Sequence, residues 1–107
     1  MKRISNINEP IKNLEGETFK SDKEGKIDAS FKSVMIRTLG VFQCQDGEKA
    51  IKVSALGVKL AGSTDNFEYE EANEAVLKEV ISSNPLGMVA IMQAALYEAV
   101  KHSEAFK

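Results

Sequence analysis

Two side chains suited to nucleophilic or general acid–base chemistry near neutral pH occur once each, Cys44 and His102. A thiolate beside an imidazole makes a nucleophile and its base, but such a pair needs a third group to orient the ring, and no pattern here supplies one. A zinc site needs several histidine or cysteine ligands close together, and these two residues alone do not form a set. His102 falls near the end of a helical pattern, where the helix dipole favours a cation. The acidic run around Glu68, Glu70 and Glu71 reads as a solvated helix start rather than a metal site. The segment 22–28 offers few carboxylates, and their spacing is not that of a calcium loop. None of the seven glycines stands in a phosphate-cradling motif with its lysine and hydroxyl residues. The expectation is therefore a protein that is not an enzyme, with no catalytic residue, no cofactor and no metal.

Composition narrows the class further. A chain of 107 residues is one domain's worth, so 1–107 is expected to fold as a single unit. With 43% hydrophobic and 28% charged residues it has the balance of a globular protein, which argues against disorder of the whole. A net charge of −2 argues against a dedicated nucleic-acid binder, because neutralising phosphates needs a positive field. A local field is the alternative. Lys2, Arg3, Lys12, Lys20, Lys23, Lys26 and Lys32 make the N-terminal third the more basic part, although Glu9, Glu15, Glu17, Asp22, Glu24 and Asp28 interleave with them. A single cysteine allows no intrachain disulfide and fits a reducing compartment. No apolar run follows Lys2 and Arg3, so no secretory signal is expected. The most apolar stretch, 85–100, is interrupted by Gln93, Tyr97 and Glu98 and falls short of the roughly 20 apolar residues of a membrane span. A cytoplasmic protein with no membrane contact is expected.

The elements that must position any working surface follow from periodicity. Residues 1–8 are polar and weakly patterned, and read as a loose arm. In 10–20, Ile11 and Leu14 precede the turn at Glu15-Gly16 and Phe19 follows it, which predicts a β-hairpin; 21–26 reads as a loop. Phe31, Val34, Met35, Thr38, Leu39 and Phe42 form a one-sided helical stripe, capped by Asp28 or Ser30 and fraying before the turn at Gln45-Asp46-Gly47. A second helix over 48–61 carries two apolar rows, Val53, Leu56 and Leu60 in one and Ile51, Ala55 and Val58 in the other. Gly57 is costly in its interior and predicts close approach of another helix; Gly62 marks its end. Phe67-Glu68-Tyr69 alternates as a short strand, expected to extend the hairpin. Helix 70–83 opens with Glu70, Glu71 and Glu74, favoured there by the dipole. Pro85 is suited to the first position of a last helix over 85–102, capped by Ser83 or Asn84.

That last helix is apolar over most of its circumference. Leu86, Val89, Ala90, Leu96, Tyr97 and Val100 build one face; Met88, Ile91, Met92, Ala95 and Ala99 build much of another. Such a helix has to be buried on most sides, which predicts a mainly α member of the α+β class, with about four helices packed round a central C-terminal helix. A helix-turn-helix reading of the junction around Asn84-Pro85-Leu86-Gly87 fails on the same ground, because Met88, Val89, Ile91 and Met92 are not side chains that read base edges. Surplus apolar surface needs a partner chain, and flexible methionine suits adaptable contacts. Met88, Ile91, Met92, Ala95 and Ala99 are therefore the candidate interface.

The order of these pieces resembles a family of small proteins encoded by tailed bacteriophages and prophages. The likeness is carried by Pro10-Ile11-Lys12-Asn13-Leu14-Glu15-Gly16-Glu17, the capped helix from Ser30-Phe31-Lys32-Ser33-Val34-Met35, the strand and acidic helix start from Phe67 to Glu71, and the Pro85-Leu86-Gly87-Met88-Val89 opening. It spans nearly the whole chain. Gly40 and Gly57 depart from the pattern. What the resemblance implies is an origin and a layout, and no reaction. Together the readings point to a phage-type accessory protein of the host cytoplasm, acting by self-association and protein–protein contact with a host factor or an assembly component. The rival is a nucleic-acid accessory protein using the basic N-terminal region.

Overall fold

The computed structural model describes residues 1–20 and 25–106; most of the loop expected over 21–26 lies outside them. The described chain is α+β and mainly α, running β1 (Lys2–Ser5), α1 (Phe31–Val41), α2 (Gly47–Ala61), β2 (Asn66–Tyr69), a 3-10 turn (Glu71–Asn73), α3 (Glu74–Ser83), α4 (Ala90–Lys101) and β3 (Glu104–Ala105). The strands form one antiparallel sheet in the order β2-β1-β3.

The sheet corrects two expectations. Residues 1–8, read as a loose arm, contain the central strand. Ile4 pairs with Phe67 and Arg3 with both Glu68 and Glu104. Ile4 and Ile7 point inward and are buried, an anchor of only two apolar residues that a polar composition conceals. β2 accordingly pairs with β1 and not with the segment 10–20. That segment is a bridged loop rather than a strand pair, with isolated bridges Lys12–Thr18, Pro10–Ser30 and Lys20–Asp28. Its two arms double back on each other through Phe19 N to Ile11 O and Asn13 N to Glu17 O, at 2.9 and 2.8 Å, and Ile11 N to Ala29 O and Ala29 N to Phe19 O, both 2.7 Å, tie them to Ala29. Asn13 closes the turn by accepting from the amides of Glu15 and Glu17. Gly16, at φ +86°, makes the left-handed step that an L side chain resists.

α1 starts where its cap dictates. Ser30 Oγ accepts from Ser33 N, and Ser33 Oγ accepts from Ser30 N, a reciprocal box that satisfies two free amides. Phe31, Val34, Met35, Thr38 and Leu39 are buried along it, and it packs against α2, α3 and α4. Thr38 is tolerated there because its hydroxyl donates to Val34 O. The central helix is thus α1 and not the C-terminal one. α4 fully buries only Leu96 and Val100. It is also shorter than expected, because Pro85 does not open it. Asn84 ends α3 in the left-handed region (φ 48°), and Gly87 (φ +65°) turns the chain again. With two residues of that conformation so close, the helical path cannot run through 84–89, and α4 begins at Ala90. Gln93 then reaches back to donate to Ile81 O at the end of α3.

Asn84 holds this junction. Its Nδ2 donates to Met88 O and its Oδ1 accepts from Met88 N, at 2.9 and 2.7 Å. Asn84→Ala loses both bonds and keeps a β-carbon in the left-handed region, so it is expected to cost about 2 kcal/mol. The readout is a lower urea midpoint at unchanged slope. Asn84→Gly should recover the backbone part of that loss and not the hydrogen bonds.

Candidate interaction surface

The side chains singled out for chemistry do not meet. Cys44, in the α1–α2 connection, faces a hollow between those helices and directs its thiol to Asp46 O. His102, at the end of α4, borders a separate hollow with Arg3, Ala99 and Glu104. Among the described residues no group of three or more histidine, cysteine or carboxylate side chains could hold a metal ion. No buried side-chain nitrogen or oxygen lacks a partner among them either. Among the described residues no helix is long and apolar enough to cross a membrane.

One polar chain does run inward. Tyr69 Oη donates to Ser103 Oγ at 2.8 Å, and Ser103 Oγ donates to Glu74 Oε1 at 3.3 Å. Lys2 and Lys78 flank the same carboxylate at 3.8 and 3.9 Å. Burial pushes the Tyr69 phenol above its ordinary range; the Ser103 bond opposes this and the Glu74 charge adds to it. A phenol held protonated is a structural clasp between β2 and the end of α4, not a base. The sign of the linkage follows. With the folded value above the unfolded one, the contribution is fully present below about pH 10, the ordinary tyrosine value, and is lost as pH rises through the folded value. Unfolding is therefore expected on the alkaline side, with tyrosinate absorbance rising together with loss of helix. Tyr69→Phe should move that transition to higher pH.

An uncovered apolar surface lies on α2. Its N-cap Asp46 accepts from Glu48 N, and Val53, Leu56 and Leu60 face the core. Lys49 ties the helix to α3 through both Glu79 oxygens, at 2.9 and 2.8 Å, a bond that raises the Lys49 pKa. At about 100° per residue, the remaining charges, Glu48, Lys52 and Lys59, share one narrow strip. The rest of the outward face carries none. Ile51 is 70% and Val58 73% exposed, flanked by exposed Ala50, Ser54, Ala55 and Ala61. Along its edge runs an open groove of about 780 Å³, walled by Ile36, Leu39 and Phe42 on one side and Val53, Gly57 and Val58 on the other. No carboxylate, histidine, lysine or arginine lines it. Such a surface carries no charge to desolvate against a partner; its one titratable lining group is the Cys44 thiol, which is turned to Asp46 O.

Gly57 faces α1, as its place in the helix predicts, but the approach is not tight. A β-carbon there would meet Leu39 Cβ at 3.9 Å, ordinary contact.

The five candidate interface residues of the C-terminal segment do not share one surface. Met88 and Met92 border a hollow with Val34, Arg37 and Leu86. Ala95 and Ala99, further along the same side of α4 as Met92, border a separate hollow with Ile4, Ile11 and Phe31. Met88, Met92 and Ala99 pack partly against the core. Ile91 is 36% exposed and Val89, two residues before it, 58%. The row Ile51, Ala55 and Val58 is plain in the sequence as a second row of α2. What marks it as outward is its exposure alone, since Glu48, Lys52 and Lys59 lie between the two rows.

The basic N-terminal residues are largely engaged. Arg3 pairs with Glu68 and stacks over Phe106, Lys2 lies beside Glu74, Lys20 pairs with Asp28, and Lys32 donates to Ser63 O. Phosphate binding there would compete with these contacts. The chain matches no family model, no curated protein and no solved structure.

Proposed function

We propose that this protein is a non-catalytic accessory protein that works by contact with other protein chains, its own copies included. The uncharged outward face of α2 carries the reading. Ile51 and Val58 are more than two-thirds exposed on a well-capped helix whose opposite side is already committed to the core. Isolated exposed aliphatic residues are ordinary on a protein surface; a continuous patch beside an apolar groove is the mark of an interaction site. The phage-type origin, with a host factor or an assembly component as the outside partner, rests on the resemblance in the order of elements. A nucleic-acid role has no comparable support, since Lys2, Arg3, Lys20 and Lys32 already have partners.

Light scattering on the purified full chain tests the self-association. A mass that rises with concentration above that of one chain is the expected result. A single-chain mass at every concentration removes self-association from the reading. A shift in electrophoretic mobility with DNA or RNA at low salt, abolished by added salt, would favour the nucleic-acid role instead.

A further inference from the structure

We propose that α2 packs against α2 of a second copy, antiparallel, about a two-fold axis passing close to Ser54; this rests on the self-association reading above. The argument is one of charge placement. Glu48 and Lys59 lie on the same edge of the apolar face, only about 20° apart around the helix. Neither side chain has a salt-bridge or hydrogen-bond partner among the described residues. They stand at opposite ends of the helix, about 16 Å apart along its axis.

An antiparallel two-fold brings the matching edges of both helices to the same side. It sets Glu48 of each copy level with Lys59 of the other, twice over. A parallel pair instead sets Glu48 level with Glu48 and places the lysines on the opposite edge, so neither charge finds a partner. The apolar residues agree with the antiparallel arrangement. With the axis midway between Glu48 and Lys59, the two Ser54 residues lie nearly opposite one another. Ile51 of one copy then sits within a turn of Val58 of the other. Ala50, Ser54 and Ala61 leave room for close approach, and Gly57 opens onto the groove at the edge of the contact. α2 has 15 residues and is about 22 Å long. Two such helices bury less than the roughly 1,600 Å² of a standard interface, so the dimer is expected to be reversible.

Analytical ultracentrifugation of the full chain across a concentration series is the test. Wild type should show a monomer–dimer equilibrium. Ile51→Glu places a carboxylate in the contact of both copies and should raise the dimer Kd roughly a hundredfold, while the thermal melt of the dilute protein stays unchanged because the residue is exposed. Glu48→Lys alone, or Lys59→Glu alone, should raise Kd about five- to tenfold. The two together should return it towards wild type. Ser54→Cys in a Cys44→Ser background should form a disulfide-linked dimer under mild oxidation. If a dimer forms that Ile51→Glu does not weaken, or that the double reversal does not rescue, the α2 pairing is wrong and self-association through another surface stands. If wild type is monomeric throughout, both the pairing and self-association fall.

Discussion

Deletion of residues 1–8 is expected to unfold the protein. The segment looks dispensable by composition, with six of its eight residues polar or charged or the initial methionine. Yet it is the only strand that touches both others in the order β2-β1-β3. Without it Asn66–Tyr69 and Glu104–Ala105 face each other across a gap, each with an unpaired row of backbone amides and carbonyls. Ile4 and Ile7 also leave the core, where they are 4% and 0% exposed. Loss of each buried isoleucine side chain costs about 2–5 kcal/mol, and Lys32 N and Phe106 N lose their acceptors Ile7 O and Met1 O. The sum is comparable with the whole stability of a domain this size, about 5–15 kcal/mol. The truncated chain should show no cooperative thermal transition and should lose near-ultraviolet circular dichroism. A truncated chain that melts like the full one would mean that the strand contributes nothing to stability. Ile4→Ala and Ile7→Ala in the full chain, each lowering the midpoint in urea, distinguish loss of burial from loss of the ladder.

This case also shows how far the fold is legible from residues alone. Long one-sided periodicity identifies α1 and α2, and Gly62 marks where α2 ends. The cap of α1 is open in the sequence between Asp28 and Ser30, Phe42 lies just past its end, and Asp46, legible as a turn residue, also caps α2. The strand at Phe67 and Tyr69 is legible from alternation, but its partner is not, since pairing is a long-range event. Register is set by which face must be buried, and β1 has only Ile4 and Ile7 to declare it. β3 is two residues long and leaves no pattern at all. Pro85 misleads for a local reason: it suits the first position of a helix, but Asn84 and Gly87 in left-handed conformation take the chain elsewhere first. That error propagates to the candidate interface. A continuous helix over 85–102 would stack Met88, Met92, Ala95 and Ala99 along one side. The turn takes Met88 off that helix, while Met92, Ala95 and Ala99 keep a common side of α4 that is half-buried, Met92 at a hollow with Val34 and Leu86 and the two alanines at one with Ile4 and Phe31. The outward row of α2 was written in the sequence as plainly as any, but apolar residues alone do not say which of two rows is buried, and the charges do not either: Glu48, Lys52 and Lys59 fall between the two rows, and Lys49 falls on the side of Val53, Leu56 and Leu60.

Leu60→Asp and Ile51→Asp, nine residues apart on one helix, are expected to have very different consequences for the stability of a single chain. Leu60 is 0% exposed and Ile51 is 70% exposed. At Leu60 the carboxylate must enter a cluster of Leu39, Leu56 and Phe67 side chains and their neighbours, all buried, either ionised without a partner or protonated by a large shift of its pKa. The lost aliphatic contacts add to that, so the cost exceeds about 4 kcal/mol and the domain should be unfolded or close to it. At Ile51 the carboxylate stays in water at the second turn of α2, and the change in a single chain should stay within about 0.5 kcal/mol. Chemical denaturation at a concentration low enough to hold the protein monomeric measures both. The sharper consequence appears on raising the concentration. If the outward face of α2 is where copies meet, the stability of wild type climbs with concentration, as it must for any fold that gains from binding its own kind. Ile51→Asp should flatten that climb while leaving the dilute value where it was. A substitution that is silent in one chain and visible only between two separates a working surface from a core, and α2 presents both on opposite sides of a single helix.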